Sequence, residues 1–198
     1  MVLFFSVIAL SGCALTTAKL DLGYMPTSKS PLMTVEPMNA VLEVMDQRDP
    51  NERDRVGDKK NMYGMVTAEV LSNKDVTAIV SEALENELKN NGHKVVDTKE
   101  ASNVVIKIDL KRYWSDCRMH FWDIEMLGTV GSHVTILDPR NESVLLSKPL
   151  NSTFRESRQI ATDEAFRDVL NNALAEFIRS FSRDPALLKA FKLAQKEK

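Results

Sequence analysis

The stretch Val104-Val105-Ile106-Lys107-Ile108-Asp109-Leu110-Lys111 decides the fold class. Successive side chains of an extended strand point to opposite faces, so Val104, Ile106, Ile108 and Leu110 share one face while Val105, Lys107, Asp109 and Lys111 share the other. One apolar and one wet face indicate a sheet covered on a single side. Toward the C-terminus, Trp122, Ile124, Met126, Val130, Val134 and Ile136 keep a common parity along a second, longer strand, in which Gly128 and Gly131 permit a bend or bulge. Asp138-Pro139-Arg140-Asn141 is a turn signal, and Ser143 to Phe154 reads as the return strand of a hairpin despite Pro149.

Around this sheet the periodicity changes from two to 3.6. Ser72, with Asp75 three residues on, signals a helix start, and Val76, Ile79, Val80, Ala83, Leu84 and Leu88 then recur at helical spacing until Gly92 closes the element. Thr162 can cap a second helix, whose stripe of Ala165, Phe166, Val169, Leu170, Ala173, Leu174, Phe177, Ile178 and Phe181 is broad enough to cover a sheet. Asp184-Pro185 offers a cap and a first-turn proline for a last short helix with Leu187, Leu188 and Phe191 inward. Short strands at Val41 to Met45, Met65 to Leu71 and His93 to Thr98 complete the set, with the polar run Asp46 to Lys60 read as a loop. The expected fold is α+β, order roughly ββαββββαα, a mostly antiparallel sheet with two main helices on one face.

The chain has 198 residues, 43% hydrophobic and 27% charged, enough to bury a core in one domain over residues 40–198. Its 26 basic and 28 acidic residues are interspersed, which excludes a nucleic-acid footprint and an acidic tail. Residues 13–39, with Pro26, Pro31 and Pro37 among Thr, Ser and Lys, read as a flexible tether. Ahead of it, Met1 to Leu10 is apolar, the right length for a signal-peptide core and short for a membrane span, and Leu10-Ser11-Gly12-Cys13 matches the lipobox of bacterial lipoproteins. Cleavage between Gly12 and Cys13 and acylation of Cys13 are expected, several acyl chains holding a protein where one is marginal. The first basic residue is Lys19, so the basic part of such a signal is expected upstream of Met1; the competing reading is an uncleaved anchor, weakened by Ser6, Ser11, Gly12, Thr16 and Thr17. Ala14 is not the aspartate that retains lipoproteins at the inner membrane, which favours the periplasmic face of the outer membrane.

Chemistry is sparse. His93, His120 and His133 lack metal-ligand spacing, and no cofactor or metal is expected. No nucleophile elbow, phosphate loop or Ser-x-x-Lys signature occurs. Cys117 with Asp116 and His120 is the one local cluster compatible with an activated thiol, against the simpler reading of a structural cysteine. Tyr113, Trp114, Arg118, Phe121 and Trp122 form an aromatic and charged cluster that is either strand-end core or a partner surface.

The lipobox, the strand end Asp46-Gln47-Arg48, Val56-Gly57, the helix end Asn91-Gly92-His93 and Asp184-Pro185 together resemble the YajG-like lipoproteins of Gram-negative bacteria over most of the mature chain. The resemblance implies fold and location and carries over no catalytic residues. Within it, Arg48 is either half of a strand-end polar pair or a ligand for an anion. The expectation is a non-catalytic interaction domain for an envelope protein or cell-wall component; the alternative is a ligand carrier or thiol-dependent enzyme built on Cys117 and His120.

Overall fold

The computed structural model describes residues 15–196, so the signal segment 1–12, Gly12 and the lipidation residue Cys13 lie outside the described residues. In chain order the elements are β1 (Ala18–Leu20), β2 (Asn39–Asp46), β3 (Arg55–Lys60), β4 (Val66–Ser72), α1 (Val76–Asn90), β5 (Lys94–Val95), β6 (Val104–Met119), β7 (Ile124–Leu137), β8 (Val144–Arg158), α2 (Asp163–Arg183) and α3 (Pro185–Lys196). The expected α+β class holds.

The alternating stretch is the first half of β6, the axis of the sheet. β7 runs antiparallel along one edge of it, from Val105 opposite Leu137 to Met119 opposite Ile124, and β8 continues antiparallel to β7. The other edge of β6 is shared. β2 lies parallel to its first half, Ala40 opposite Val104 through Asp46 opposite Leu110, and β3 takes over beyond, with Gly57 opposite Ser115. β4 and β1 extend the β3 branch, and β5 extends the β2 branch. The ladders are mixed, with the long ones antiparallel. At the branch point β6 carries an irregularity between Leu110 and Arg112, and an extra residue there shifts the parity. Leu110 points into the core, Lys111 and Arg112 are both exposed, and Tyr113, Ser115 and Cys117 point inward again.

The helices cover one face as their stripes require. α1 starts at Asp75, whose carboxylate accepts from Thr77 N at 2.9 Å, three residues later than the Ser72 start read from sequence; Gly92 closes it at φ 93°. Thr162 caps α2 as expected, accepting from Ala165 N at 3.2 Å, and Asp184 caps α3 through Ala186 N and Leu187 N. α2 lies against β6, β7 and β8, and at Gly128 there is no room for a side chain: a Cβ would stand 2.2 Å from the Val169 carbonyl oxygen.

Two expectations are corrected. The segment read as a tether to residue 39 is part of the fold from Ala18 on: Leu20, Leu22, Leu32, Val35 and Met38 are buried in the main core. Its backbone is pinned by side chains of the helices. Ser30 N donates to Asn91 Oδ1 (2.8 Å), Asn90 Nδ2 donates to Ser28 O (2.7 Å) and Gly23 N donates to Asn171 Oδ1 (3.0 Å). His93 lies beneath it, accepting from Met38 N at Nδ1 and donating from Nε2 to Leu32 O, a role for this residue that its sequence neighbours did not signal. The prolines belong to a tightly bound irregular path rather than a loose chain. The run 46–60, read as a loop, contains β3. Its charges are absorbed partly by a partner far along the chain and partly within the strand: buried Lys59 donates to Thr16 O and pairs with Asp163, and Asp58 pairs with Arg55 three residues away.

Candidate functional site

The residues singled out along the chain separate into three places. Arg48 and Tyr113 are interior. The Arg48 side chain is 1% exposed and its guanidinium is engaged: Nε and Nη2 donate to the two oxygens of Asp46 (3.0 and 2.8 Å), Nη2 to Arg53 O (2.7 Å) and Nη1 to Arg55 O (3.2 Å). It closes the 47–55 loop at the point where the sheet branches, which is the strand-end role and leaves no fork for an anion. Burial by itself pushes the Asp46 carboxyl up, but the hydrogen bonds from Arg48 outweigh it and hold the group below its ordinary value. Tyr113 is fully buried, and among the described residues its hydroxyl has no hydrogen-bond partner; burial drives its pKa far upward. Neither residue belongs to a surface. Replacing Tyr113 by Phe is therefore expected to leave stability unchanged or raise it by up to about 1 kcal/mol in urea unfolding, since an unsatisfied buried hydroxyl is removed; a loss of more than about 1 kcal/mol means that the hydroxyl is satisfied.

The Cys117 cluster comes apart because adjacent residues of a strand face opposite ways. Cys117 faces the core, its thiol donating to Asp58 O at 3.8 Å, and burial pushes that thiol up, away from the thiolate a nucleophile needs. Asp116 points to the opposite face, where it accepts from Lys60 Nζ (2.5 Å) and from Cys117 N (2.9 Å). His120 sits exposed in the β6–β7 turn. Among the described residues no group of three His, Cys, Asp or Glu side chains is placed to hold a metal, and no helix is long and apolar enough to cross a membrane.

Trp114, Arg118 and Trp122 remain, and they mark one region: the sheet face away from the helices, running to the β6–β7 turn. Register places Trp114, Thr129 and Thr153 in one cross-strand row, Asp116, Leu127 and Arg155 in the next, and Arg118, Glu125 and Ser157 in the third. Arg155 reaches diagonally to Glu125 at 3.0 Å, and the Arg55 guanidinium stands 5.8 Å from the Trp114 ring centre, itself held by Asp58 and Glu69. The patch combines a half-exposed indole, hydroxyls and both signs of charge, and it ends at β8, which pairs among the described residues with β7 alone. Along the outer half of β8, Asn151, Thr153, Arg155 and Ser157 are exposed, a strand-edge contribution that sequence reading did not assign because these residues alternate like any solvated face.

A family model described as an uncharacterized lipoprotein matches residues 28–192. The chain belongs to this lipoprotein family. The match agrees with the YajG-like resemblance and begins inside the segment once read as tether, in keeping with the packing of that segment. No curated protein matches the lipoprotein. Among solved structures it is similar to protein XCC0632 of Xanthomonas campestris, at 11% identity over 87% of this chain and 95% of that one, TM-score 0.63. It is also similar to a protein described only as uncharacterized, at 10% identity over 84% and 97%, TM-score 0.56. At these identities the likeness concerns the fold.

Proposed function

We propose that this lipoprotein is a non-catalytic interaction module of the Gram-negative envelope, held at the periplasmic face of the outer membrane by acyl chains on Cys13. It engages an envelope protein or cell-wall component through the open sheet face and the free edge of β8. The observation that carries the reading is the arrangement of β6, β7 and β8: α1, α2 and α3 lie on one side, while the other presents Trp114, Arg118, Thr153 and Arg155 beside β8, a strand that pairs among the described residues with β7 alone. An edge of this kind can accept an extended segment of a partner, the backbone supplying affinity and the alternate side chains specificity. The buried Cys117 thiol and the separation of Cys117 from Asp116 support a binding role over a thiol-dependent one.

Photo-crosslinking residues placed at Thr153 and Arg155 in intact cells are expected to capture one discrete envelope partner, with the same yield in a Cys117→Ala background; capture lost with Cys117→Ala overturns the reading. For the anchor, the mass of the membrane-extracted protein is expected to correspond to an acylated chain beginning at Cys13, and Cys13→Ala is expected to release the protein from the membrane fraction. A mass that retains residues 1–12 overturns the anchor.

A further inference from the structure

Three features converge on one end of the sheet. The first is the β3–β4 turn, where Asn61 Oδ1 accepts from Tyr63 N (2.9 Å) and Met65 N (3.0 Å), and Gly64 takes φ 77°; this fixed turn leaves Met62 81% and Tyr63 87% exposed. The second is the β6–β7 turn, closed by His120 N donating to Asp123 O, which presents Phe121 at 86% and Trp122 at 82% exposure, their rings edge to face with centres 4.6 Å apart. β3 runs parallel to β6 with Gly57 opposite Ser115, and Lys60 pairs with Asp116, so the two turns leave the sheet side by side. The third is the entry of the chain. β1 is parallel to β4, Ala18 opposite Val70, and β4 begins at the β3–β4 turn, so the residues ahead of Ala18 come from that same end. Thr16 O is held there by Lys59 Nζ at 2.8 Å, and Leu15 is exposed next to it.

Cys13 is two residues before Leu15. A peptide reaches at most about 3.6 Å per residue, so no more than about 7 Å of chain separates Cys13 from Leu15. Four large apolar side chains on two neighbouring, hydrogen-bonded turns form an exposed patch of the kind that marks a binding surface. Their chemistry favours one occupant: Trp and Tyr concentrate at the headgroup layer of bilayers, where an amphipathic ring meets both phases, and apolar side chains beside them enter the acyl boundary. Exposed Arg118, at the base of the Phe121 and Trp122 turn, suits anionic headgroups.

We propose that this end of the domain rests in the membrane interface, with Phe121 and Trp122 inserted and Met62 and Tyr63 flanking them, so that the domain stands on the bilayer beside its own anchor. The inference rests on acylation of Cys13. Because the anchor is short, the turns act as a second, non-covalent foot that fixes the orientation of the open sheet face and β8.

The test uses the full lipidated protein in vesicles of phosphatidylethanolamine and phosphatidylglycerol, brominated either near the head or near the end of the acyl chains. Emission of the native protein minus that of Trp122→Phe isolates Trp122, and flotation reports the anchor independently. The expected result is a protein that floats, with Trp122 emission shifted to the blue, strongly lost to shallow bromines and weakly to deep ones, and an exposed-type spectrum for Trp122 in Phe121→Ser. A protein that floats with Trp122 unquenched overturns the proposal and leaves the anchor standing. Trp122 shielded from acrylamide yet untouched by bromines also overturns it, since a protein, either a partner or a second copy, then covers the turns. Failure to float overturns both.

Discussion

Leu32→Ala is expected to destabilise the protein by about 2–5 kcal/mol, the range for truncating a fully buried leucine without collapse of the surrounding structure. Leu32 is fully buried in the core, although it lies in the Pro-rich stretch 13–39. Were that stretch a free tether, the same substitution would change stability by no more than about 0.5 kcal/mol, as at ordinary exposed sites. Urea unfolding monitored by circular dichroism separates the two outcomes without overlap. The segment also brings pH dependence. His93 is held in its neutral form, accepting from Met38 N, and burial lowers its pKa. A histidine whose folded pKa is depressed adds stability above its ordinary value, and that stability is lost as pH falls from about 6.5 toward the folded value. Protection of the residue 28–38 amides in hydrogen exchange is therefore expected to fall on acidification across that window and to do so less in His93→Asn; an unchanged profile rejects the link.

Arg48→Ala is expected to cost about 2–4 kcal/mol, because it strands the Asp46 carboxylate and removes the donors that hold Arg53 O and Arg55 O. The figure sits below the range for fully buried pairs because the Asp46 side chain is 19% exposed and can regain water. Arg48→Lys should recover less than half of the loss, since an ammonium cannot reproduce the fork that meets both carboxylate oxygens and two carbonyls. The native pair also sets a pH signature. With the Asp46 pKa depressed by its hydrogen bonds to Arg48, its contribution is present above the ordinary carboxylate value and disappears as pH falls through the depressed one. Acid unfolding of the native protein and of Arg48→Ala should therefore converge at low pH; a constant difference across that range rejects the pair as its cause.

The alternation in Val104 to Leu110 and the helical stripes of α1 and α2 carried their tertiary meaning in local period, and the core they specify is observed, except that Val105, read on the wet face, is buried with Val41 and Leu137 in a second, smaller cluster. Three features were invisible for separate physical reasons. β1 is three residues long, its place in the sheet comes from β4, more than fifty positions away, and its burial from a core shared with α2, so no local pattern can announce it. β3, Arg55-Val56-Gly57-Asp58-Lys59-Lys60, reads as solvated because the partners that let Lys59 and Lys60 leave bulk water, Asp163, the Thr16 carbonyl and Asp116, lie far along the chain. The parity change after Leu110 determines which face Tyr113, Trp114 and Cys117 occupy, and a bulge that arises where β2 gives way to β3 depends on both partner strands. That one extra residue gives the core face to Tyr113 and Cys117 and the open face to Trp114 and Asp116, while the separation within each pair is the ordinary alternation of a strand. The exposed turns were more accessible than the reading made them: Met62-Tyr63 between Asn61 and Gly64 is an apolar pair in a sequence setting that belongs to a turn.

The direction of β1 has a mechanical meaning. Under the proposed anchoring at Cys13 and binding at β8, a pull between the membrane and a partner would enter the domain at Ala18 along the axis of β1, against its pairing with β4. The bonds joining the two strands are then loaded together in shear, instead of one after another as in peeling a hairpin from its end. Behind them, Leu20 and Leu22 must leave the core before the chain can pay out. The part of the sequence that most resembles slack is the part that would bear tension.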